Sequence, residues 1–109
     1  MSVLVIRSHS RFAVCRKAWL ERDGARNSEA LLIELSLEGA RVSTPASGIA
    51  IGDTLRLMLT DAEPIEARVR WCGEGTIGLR FVQPLHIAAL DTLIRLCRGK
   101  SGEGQALRA

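Results

Sequence analysis

Apolar and polar residues alternate along most of this chain, and this period of two restricts its fold more than any other feature. In residues 65–71, apolar side chains occupy every second position, and Glu or Arg lies between them. Successive side chains of a strand point to opposite faces, so the pattern predicts a strand with one buried face. Five further runs are strand-like: residues 13–20, 29–35, 39–44, 54–60 and 77–81.

Turn-forming residues separate these runs. Asp23-Gly24, Gly52-Asp53 and the Gly-Glu-Gly sequence at 73–75 are typical of short connections between strands. Six short strands joined by turns predict a mostly-β fold, a six-stranded antiparallel β-barrel that is closed or nearly closed. The length of 109 residues allows one domain with its own apolar core.

The apolar period changes at Pro84, a residue that suits the first turn of a helix. Apolar residues then recur at helical spacing, at Ile87, Leu90, Leu93 or Ile94, and Cys97. The sequence therefore predicts one C-terminal α-helix over residues 84–98, ended at Gly99, and a flexible tail over residues 100–109. We take the domain itself to cover residues 1–99. The apolar face of the helix is expected to pack across a barrel mouth rather than form a dimer interface, which gives a monomer or a weak dimer.

The N-terminal sequence and the cysteines indicate a cytoplasmic location. Residues 3–6 form an apolar run far shorter than that of a signal peptide or a membrane span, so we expect neither secretion nor membrane insertion. Cys15, Cys72 and Cys97 are odd in number and form no C-x-x-C pair, which is unsuited to a disulfide framework or a zinc site. We expect buried thiols in a reducing compartment.

No arrangement typical of catalysis is evident in the sequence. There is no apparent Ser-His-Asp or Cys-His set, no pair of acids and no glycine-rich phosphate loop. Neither His9 nor His86 has a carboxylate or a thiol at a spacing that suits metal binding or proton transfer. We therefore expect no catalytic residues, no metal and no cofactor, and hence a binding protein rather than an enzyme.

Arg7 and Arg11 lie four residues apart, just before the first strand. A guanidinium offers a planar fork of donors that matches a phosphate and a flat face that can stack on a purine, so two of them can gather around one anion. Taken alone, the spacing is more typical of solvated surface arginines. The net charge of +3 favours anionic partners only weakly.

A second group of residues lies where the second strand gives way to the third. Glu34 and Ser36 are two residues apart and share one face of an extended chain, which brings a carboxylate and a hydroxyl together on the outer surface. Gly39 follows three residues later and provides either a positive φ or room for the close approach of a ligand. On their own, these residues indicate only a hairpin.

In combination, the two groups resemble the PilZ domain family over nearly the whole chain. The family pattern begins with R-x-x-x-R, which Arg7 and Arg11 match. After one strand it continues with D/N-x-S-x-x-G, whose positions Glu34, Ser36 and Gly39 occupy. Supporting matches are Arg11-Phe12, Gly52, Val69-Arg70-Trp71 and Ile-Gly-Leu-Arg-Phe at 77–81. The resemblance implies a stand-alone, single-domain receptor of the bacterial second messenger cyclic di-GMP.

The resemblance also implies a role for each matched residue. The arginine-bearing loop over residues 1–12 would fold over the ligand, with Arg7 and Arg11 on its phosphates and guanine bases. Ser36 would contact the ligand from the strand edge, and Gly39 would keep the turn open. Ordering of the loop would then be the output signal.

Glu34 departs from the family pattern, which has Asp or Asn at this position. A carboxylate can still accept hydrogen bonds from guanine N–H groups. The extra methylene moves it by about 1.5 Å, and a misplacement of about 1 Å already matters in a fixed site. We therefore expect the affinity to be weakened rather than lost.

Two further residues are weaker candidates for ligand contact. Arg41 follows Gly39 on the polar face, where a solvated arginine is expected and a contact to phosphate is the second interpretation. Trp71 ends an alternating strand, and its inward register predicts core packing. In some relatives an aromatic residue of this region lies against the ligand, which is the second interpretation for Trp71.

Three functions are compatible with the sequence. The first is a cyclic di-GMP receptor that acts in trans on an unidentified downstream protein, in the regulation of motility or biofilm formation. The second is a PilZ-like adaptor that does not bind nucleotide because Glu34 replaces the motif Asp or Asn. The third is a barrel that binds RNA or DNA, which the basic N-terminus allows. It is disfavoured by the scarcity of aromatic residues and by the acidic Glu34, Glu38 and Asp53.

Overall fold

Six strands and one helix follow one another in the computed structural model, which describes residues 11–22 and 27–104. They are β1 Phe12–Arg22, β2 Ser28–Leu35, β3 Gly39–Ser43, β4 Thr54–Met58, β5 Ile65–Gly73, β6 Thr76–Phe81 and α1 Ile87–Gly104. The strands pair antiparallel around a closed barrel in the order β1-β2-β3-β6-β5-β4. Within the described residues, the predicted mostly-β architecture of a six-stranded antiparallel barrel with one C-terminal helix is confirmed.

The alternation of apolar residues builds the core inside the barrel. Inward-facing side chains on all six strands are almost wholly buried, among them Leu20, Leu32, Val42, Leu55, Leu57, Val69 and Leu79. Burial of each such side chain stabilises the fold by about 1.5–3 kcal/mol relative to an exposed one. Leu90, Leu93 and Cys97 of α1 are buried in the same core, so the apolar face of the helix packs on the barrel.

Helix α1 begins three residues after the predicted start at Pro84. The segment before it is held in a different conformation, because the backbone N–H of Leu85 donates to the Leu37 carbonyl at 2.8 Å. Towards the other end of the helix, the Arg98 guanidinium donates to the Ala13 carbonyl at 3.1 Å from Nε and 2.6 Å from Nη2. The helix therefore covers the end of the barrel at which β1 begins and β2 ends.

The C-terminal end of α1 also differs from the expectation. The helix does not stop after residue 98 but continues through Gly99 to Gly104, since one glycine costs a helix only about 1 kcal/mol relative to alanine. Residues 100–104 of the expected flexible tail are thus helical, and residues 105–109 lie outside the described part of the chain. No helix in that part is long and apolar enough to cross a membrane.

A bulge in β5 changes the face on which Trp71 lies. Val69 pairs with Leu79 and Trp71 with Gly78, so Arg70 is the extra residue on this strand. An extra residue reverses the alternation beyond it. Trp71 therefore turns to the outer face and is 42% exposed. The prediction that Trp71 packs in the core is wrong, because the bulge breaks the alternation between Val69 and Trp71.

The cysteines differ in accessibility and in thiol chemistry. Cys15 and Cys72 are exposed, whereas Cys97 lies on the buried face of α1, so the expectation of buried thiols holds for Cys97 alone. Burial raises the pKa of the Cys97 thiol, and the nearby Arg16 and Arg98 oppose this effect in part. A raised pKa leaves less of the reactive thiolate at any given pH.

We expect an aromatic disulfide reagent at about pH 8 to label Cys15 and Cys72 in the folded protein and Cys97 only after denaturation. Both the burial of Cys97 and its raised pKa slow its reaction. Mass spectrometry of the digested protein reads the label at each site. Labelling of Cys97 in the folded protein as fast as that of Cys15 would contradict the packing of α1.

Candidate ligand-binding site

A concavity of about 310 Å³ opens on the outer face of the barrel beside the turn between β2 and β3. Its lining comes from four neighbouring strands, from the turn between β2 and β3 and from the residue that precedes β1: Arg11, Glu34, Leu35, Ser36, Glu38, Gly39, Ala40, Arg41, Arg70, Trp71, Gly78, Leu79 and Arg80. Every candidate site residue that the structure describes is in this set. Arg7 and the rest of the arginine-bearing loop before Arg11 lie outside the described residues.

The Ser36 side chain closes the turn on which the site is built. Its Oγ accepts hydrogen bonds from the backbone N–H groups of Glu38 at 3.3 Å and Gly39 at 3.1 Å, and it lies 3.2 Å from the Gly39 carbonyl, to which it donates. The backbone N–H of Ser36 donates to the same carbonyl at 2.9 Å. Serine is suited to this position because a short hydroxyl side chain can satisfy the backbone groups of a turn.

Gly39 is required for space rather than for an unusual backbone conformation. It is absent from the glycines with positive φ, which are Gly48, Gly52 and Gly75 in the described residues. A Cβ atom at Gly39 would instead collide with the carbonyl oxygen of Leu79 on β6. Of the two roles that the sequence leaves open for this glycine, the structure supports close approach, with a neighbouring strand as the approaching group.

Glu34 lies between two arginines. It pairs directly with Arg41 across β2 and β3, and its Oε1 is 3.7 Å from Arg41 Nε and 4.0 Å from Arg11 Nη1. Both arginine side chains are exposed, so each ion pair contributes no more than about 1 kcal/mol. The carboxylate therefore gathers two guanidiniums at the rim through contacts weak enough for an anionic ligand to replace.

Trp71 and Gly78 form an aromatic platform in the wall of the concavity. The two residues are cross-strand partners, and the indole ring occupies the space that a Cβ atom of Gly78 would fill. The ring thus lies close against the β6 backbone while part of it stays exposed. An exposed, supported indole can stack on a planar heterocycle.

Arg70 and Arg80 also line this concavity and were not among the candidate site residues predicted from the sequence. Both lie on the strands that carry the platform, Arg70 beside Trp71 and Arg80 two residues after Gly78. The outward position of Arg80 follows from simple alternation on β6, so the sequence held a signal for it. Arg70 is likewise on the outer face by alternation along β5, and its place in this site follows from the strand order of the barrel.

The charges in the concavity favour an anion. Four arginines, Arg11, Arg41, Arg70 and Arg80, face two carboxylates, Glu34 and Glu38, which leaves an excess of two positive charges. Guanidinium groups bind phosphates through paired hydrogen bonds, and the platform adds an aromatic surface. The arrangement is therefore suited to a ligand that combines phosphate with a planar base.

Comparisons with known proteins bear on the fold and on the family. The family model for the PilZ domain matches residues 6–99. Among solved structures, the chain is similar to the Bacillus subtilis inhibitor of motility (MotI/DgrA), with a TM-score of 0.58 and 18% sequence identity. The similarity covers 94% of this chain and 54% of that one, so this chain spans about half the length of that protein. No curated protein matches the sequence.

Proposed function

The chain belongs to the PilZ domain family, a family of cyclic di-GMP receptors and adaptors, and we propose that it binds cyclic di-GMP in the concavity beside the turn between β2 and β3. One observation carries the proposal. Arg11, from the first family motif, and Glu34, Ser36 and Gly39, from the second, line a single concavity although more than 20 residues separate the two motifs in the sequence.

The chemistry of the concavity suits both parts of this ligand. Cyclic di-GMP carries two phosphates, and the excess of two positive charges in the lining matches their charge. The ligand also carries two guanine bases, for which the Trp71 platform and the flat faces of the arginines provide stacking surfaces. The proposed ligand contacts are those of Arg7, Arg11, Glu34, Ser36 and Gly39, with weaker contributions from Arg41 and Trp71.

The proposed output is a change in the arginine-bearing loop over residues 1–12. Phe12 pairs with Leu35 at the start of β1, so Arg11 is held next to a fixed strand at the edge of the concavity. A ligand bound by Arg11 and Arg7 would draw the preceding loop over the barrel. The ordered loop would act in trans on a downstream protein, which makes the chain a cytoplasmic receptor rather than an enzyme.

A non-binding adaptor is the second candidate, and one observation favours it. The Glu34 carboxylate occupies the space between Arg11 and Arg41, where a phosphate would bind. A ligand must therefore displace this carboxylate or lie beside it. If it cannot, the chain would work through protein contacts alone.

Replacing Glu34 with Asp is expected to tighten cyclic di-GMP binding by about threefold or more. The shorter side chain restores the reach of the motif residue and withdraws the carboxylate from the two arginines. Isothermal titration calorimetry measures the change. Glu38→Asp removes the same methylene from the other carboxylate of the concavity and should have a smaller effect. Weaker binding by Glu34→Asp would show that the argument from reach is wrong.

Chemical-shift mapping tests the location of the site. Cyclic di-GMP added to the isotope-labelled chain is expected to perturb the amides of Arg11, of residues 34–41 and of the platform residues Trp71 and Gly78. The amides of α1 serve as the internal reference, because none of its residues lines the concavity. Perturbations confined to α1, or none at saturating ligand, would contradict the proposed site.

A further inference from the structure

A second and larger concavity lies between α1 and the connection from β4 to β5, and we call it the helix groove. Its volume is about 1070 Å³, and its apolar wall includes Ile65, Val82, Leu85, Ala89, Leu93 and Leu96. It shares no lining residue with the concavity proposed for cyclic di-GMP. An inference drawn from the helix groove therefore stands independently of nucleotide binding.

The apolar surface of the helix groove is accessible. Val82, in its wall, is 50% exposed. Ile65, Leu85 and Leu96 are partly buried rather than enclosed in the core. Exposed apolar surface of this kind is typical of a binding surface, because covering it removes apolar atoms from water.

The rim of the helix groove is acidic, although the whole chain carries a net charge of +3. Asp61, Glu63 and Glu66 lie along one side, and within the described residues none of the three forms an ion pair. Arg95, the arginine among the lining residues, is already paired with Asp91 at 3.1 Å. Three carboxylates are thus available to a partner of opposite charge.

From this combination we propose that the helix groove binds a basic, amphipathic segment of a partner protein. An apolar groove accepts the apolar face of such a segment, and lysine or arginine side chains on its flanks would meet the carboxylates of the rim. The same carboxylates repel a nucleotide and the anionic surface of a membrane. The charge pattern therefore selects a protein segment of positive charge over these other ligands.

The probe for a first test is a synthetic helical peptide of about 18 residues, built from leucine on one face and lysine on the other. A matched peptide carries glutamate in place of every lysine. We expect saturable binding of the basic peptide to the full chain by fluorescence anisotropy, at least about tenfold tighter than that of the acidic one. Equal binding of the two peptides would overturn the proposal.

Two alanines of α1 offer a matched pair of variants. Ala89 lines the helix groove, whereas its neighbour Ala88 is exposed and does not. Ala89→Arg inserts a long cationic side chain into the groove and should lower the affinity for the basic peptide by about tenfold or more. Ala88→Arg changes the net charge equally and should have little effect. An equal loss in both variants would overturn the proposal.

Charge reversal on the rim gives an independent test. Glu63→Lys reverses a charge on the rim. The control is Glu74→Lys, which makes the same change in the exposed turn between β5 and β6, at the other end of the barrel. Glu63→Lys should lower the affinity for the basic peptide several-fold, and Glu74→Lys should not. Peptide-induced shifts of wild-type amides must fall on the elements that line the groove, which are α1 and residues 61–66 and 82–86. Shifts elsewhere would overturn the proposal, as would a dimer of the chain that Ala89→Arg dissociates, since the occupant would then be a second copy.

Discussion

Replacing Arg11 with Ala is expected to lower the affinity for cyclic di-GMP by about 10- to 100-fold while the barrel stays folded. Arg11 lies at the edge of the concavity, and its only ion pair in the described residues is the 4.0 Å contact with Glu34, so the folded state loses little. A charge-assisted hydrogen bond contributes about 1.5–3 kcal/mol, and each 1.4 kcal/mol is about tenfold in affinity. Isothermal titration calorimetry and a thermal melt measure the two effects.

Arg56→Ala is the matched control for this variant. Arg56 is an exposed arginine on β4 that pairs with Glu21 at 3.1 Å and does not line the concavity. Its loss changes the net charge by the same amount, so any general electrostatic attraction falls equally in both variants. Equal affinities for the two variants would show that Arg11 makes no specific contact. A wild-type chain that binds a protein partner but no nucleotide would support the adaptor.

Replacing Gly39 with Ala is expected to destabilise the fold by about 2–3 kcal/mol, because the new methyl group would collide with the Leu79 carbonyl. The clash is with backbone, so a rotamer change cannot relieve it, and β3 and β6 must move apart. In a domain of this size such a loss lowers the melting temperature by roughly 10–20 °C. Cyclic di-GMP binding should weaken as well, since β3 carries Arg41 into the concavity.

Gly73→Ala separates this effect from the general cost of replacing a glycine. Gly73 ends β5, has no positive φ, and has no atom within 4 Å of the position that a Cβ would take. Its substitution should change the melting temperature by only a few degrees. If Gly39→Ala melts as high as Gly73→Ala, the close contact between β3 and β6 is not what requires a glycine at residue 39.

The fold could be predicted from the sequence because one barrel face is consistently apolar. Residues such as Leu55 and Leu57 alternate with polar neighbours, and both are buried as the pattern requires. Prediction failed where a local feature outweighed the pattern. The hydrogen bond from Leu85 to Leu37 delays the start of α1, and the bulge at Arg70 turns Trp71 outward. Neither feature has a signal in a single sequence.

The candidate site was predictable to the extent that it is built from short motifs. The spacing of Ser36 and Gly39 marks a turn, and the structure shows the hydrogen bonds that make serine suitable there. The contribution of β5 and β6 was harder to predict, since it depends on which strands are neighbours in the barrel. Arg80 and the Trp71 platform reach the site only because β6 lies between β3 and β5.

Calorimetric titration of the wild-type chain with cyclic di-GMP is the decisive test of the proposed receptor function. We predict saturable heat of binding, with the stoichiometry of one or two molecules per chain given by the same curve. Absence of heat, or absence of saturation at high micromolar ligand, would contradict the receptor function.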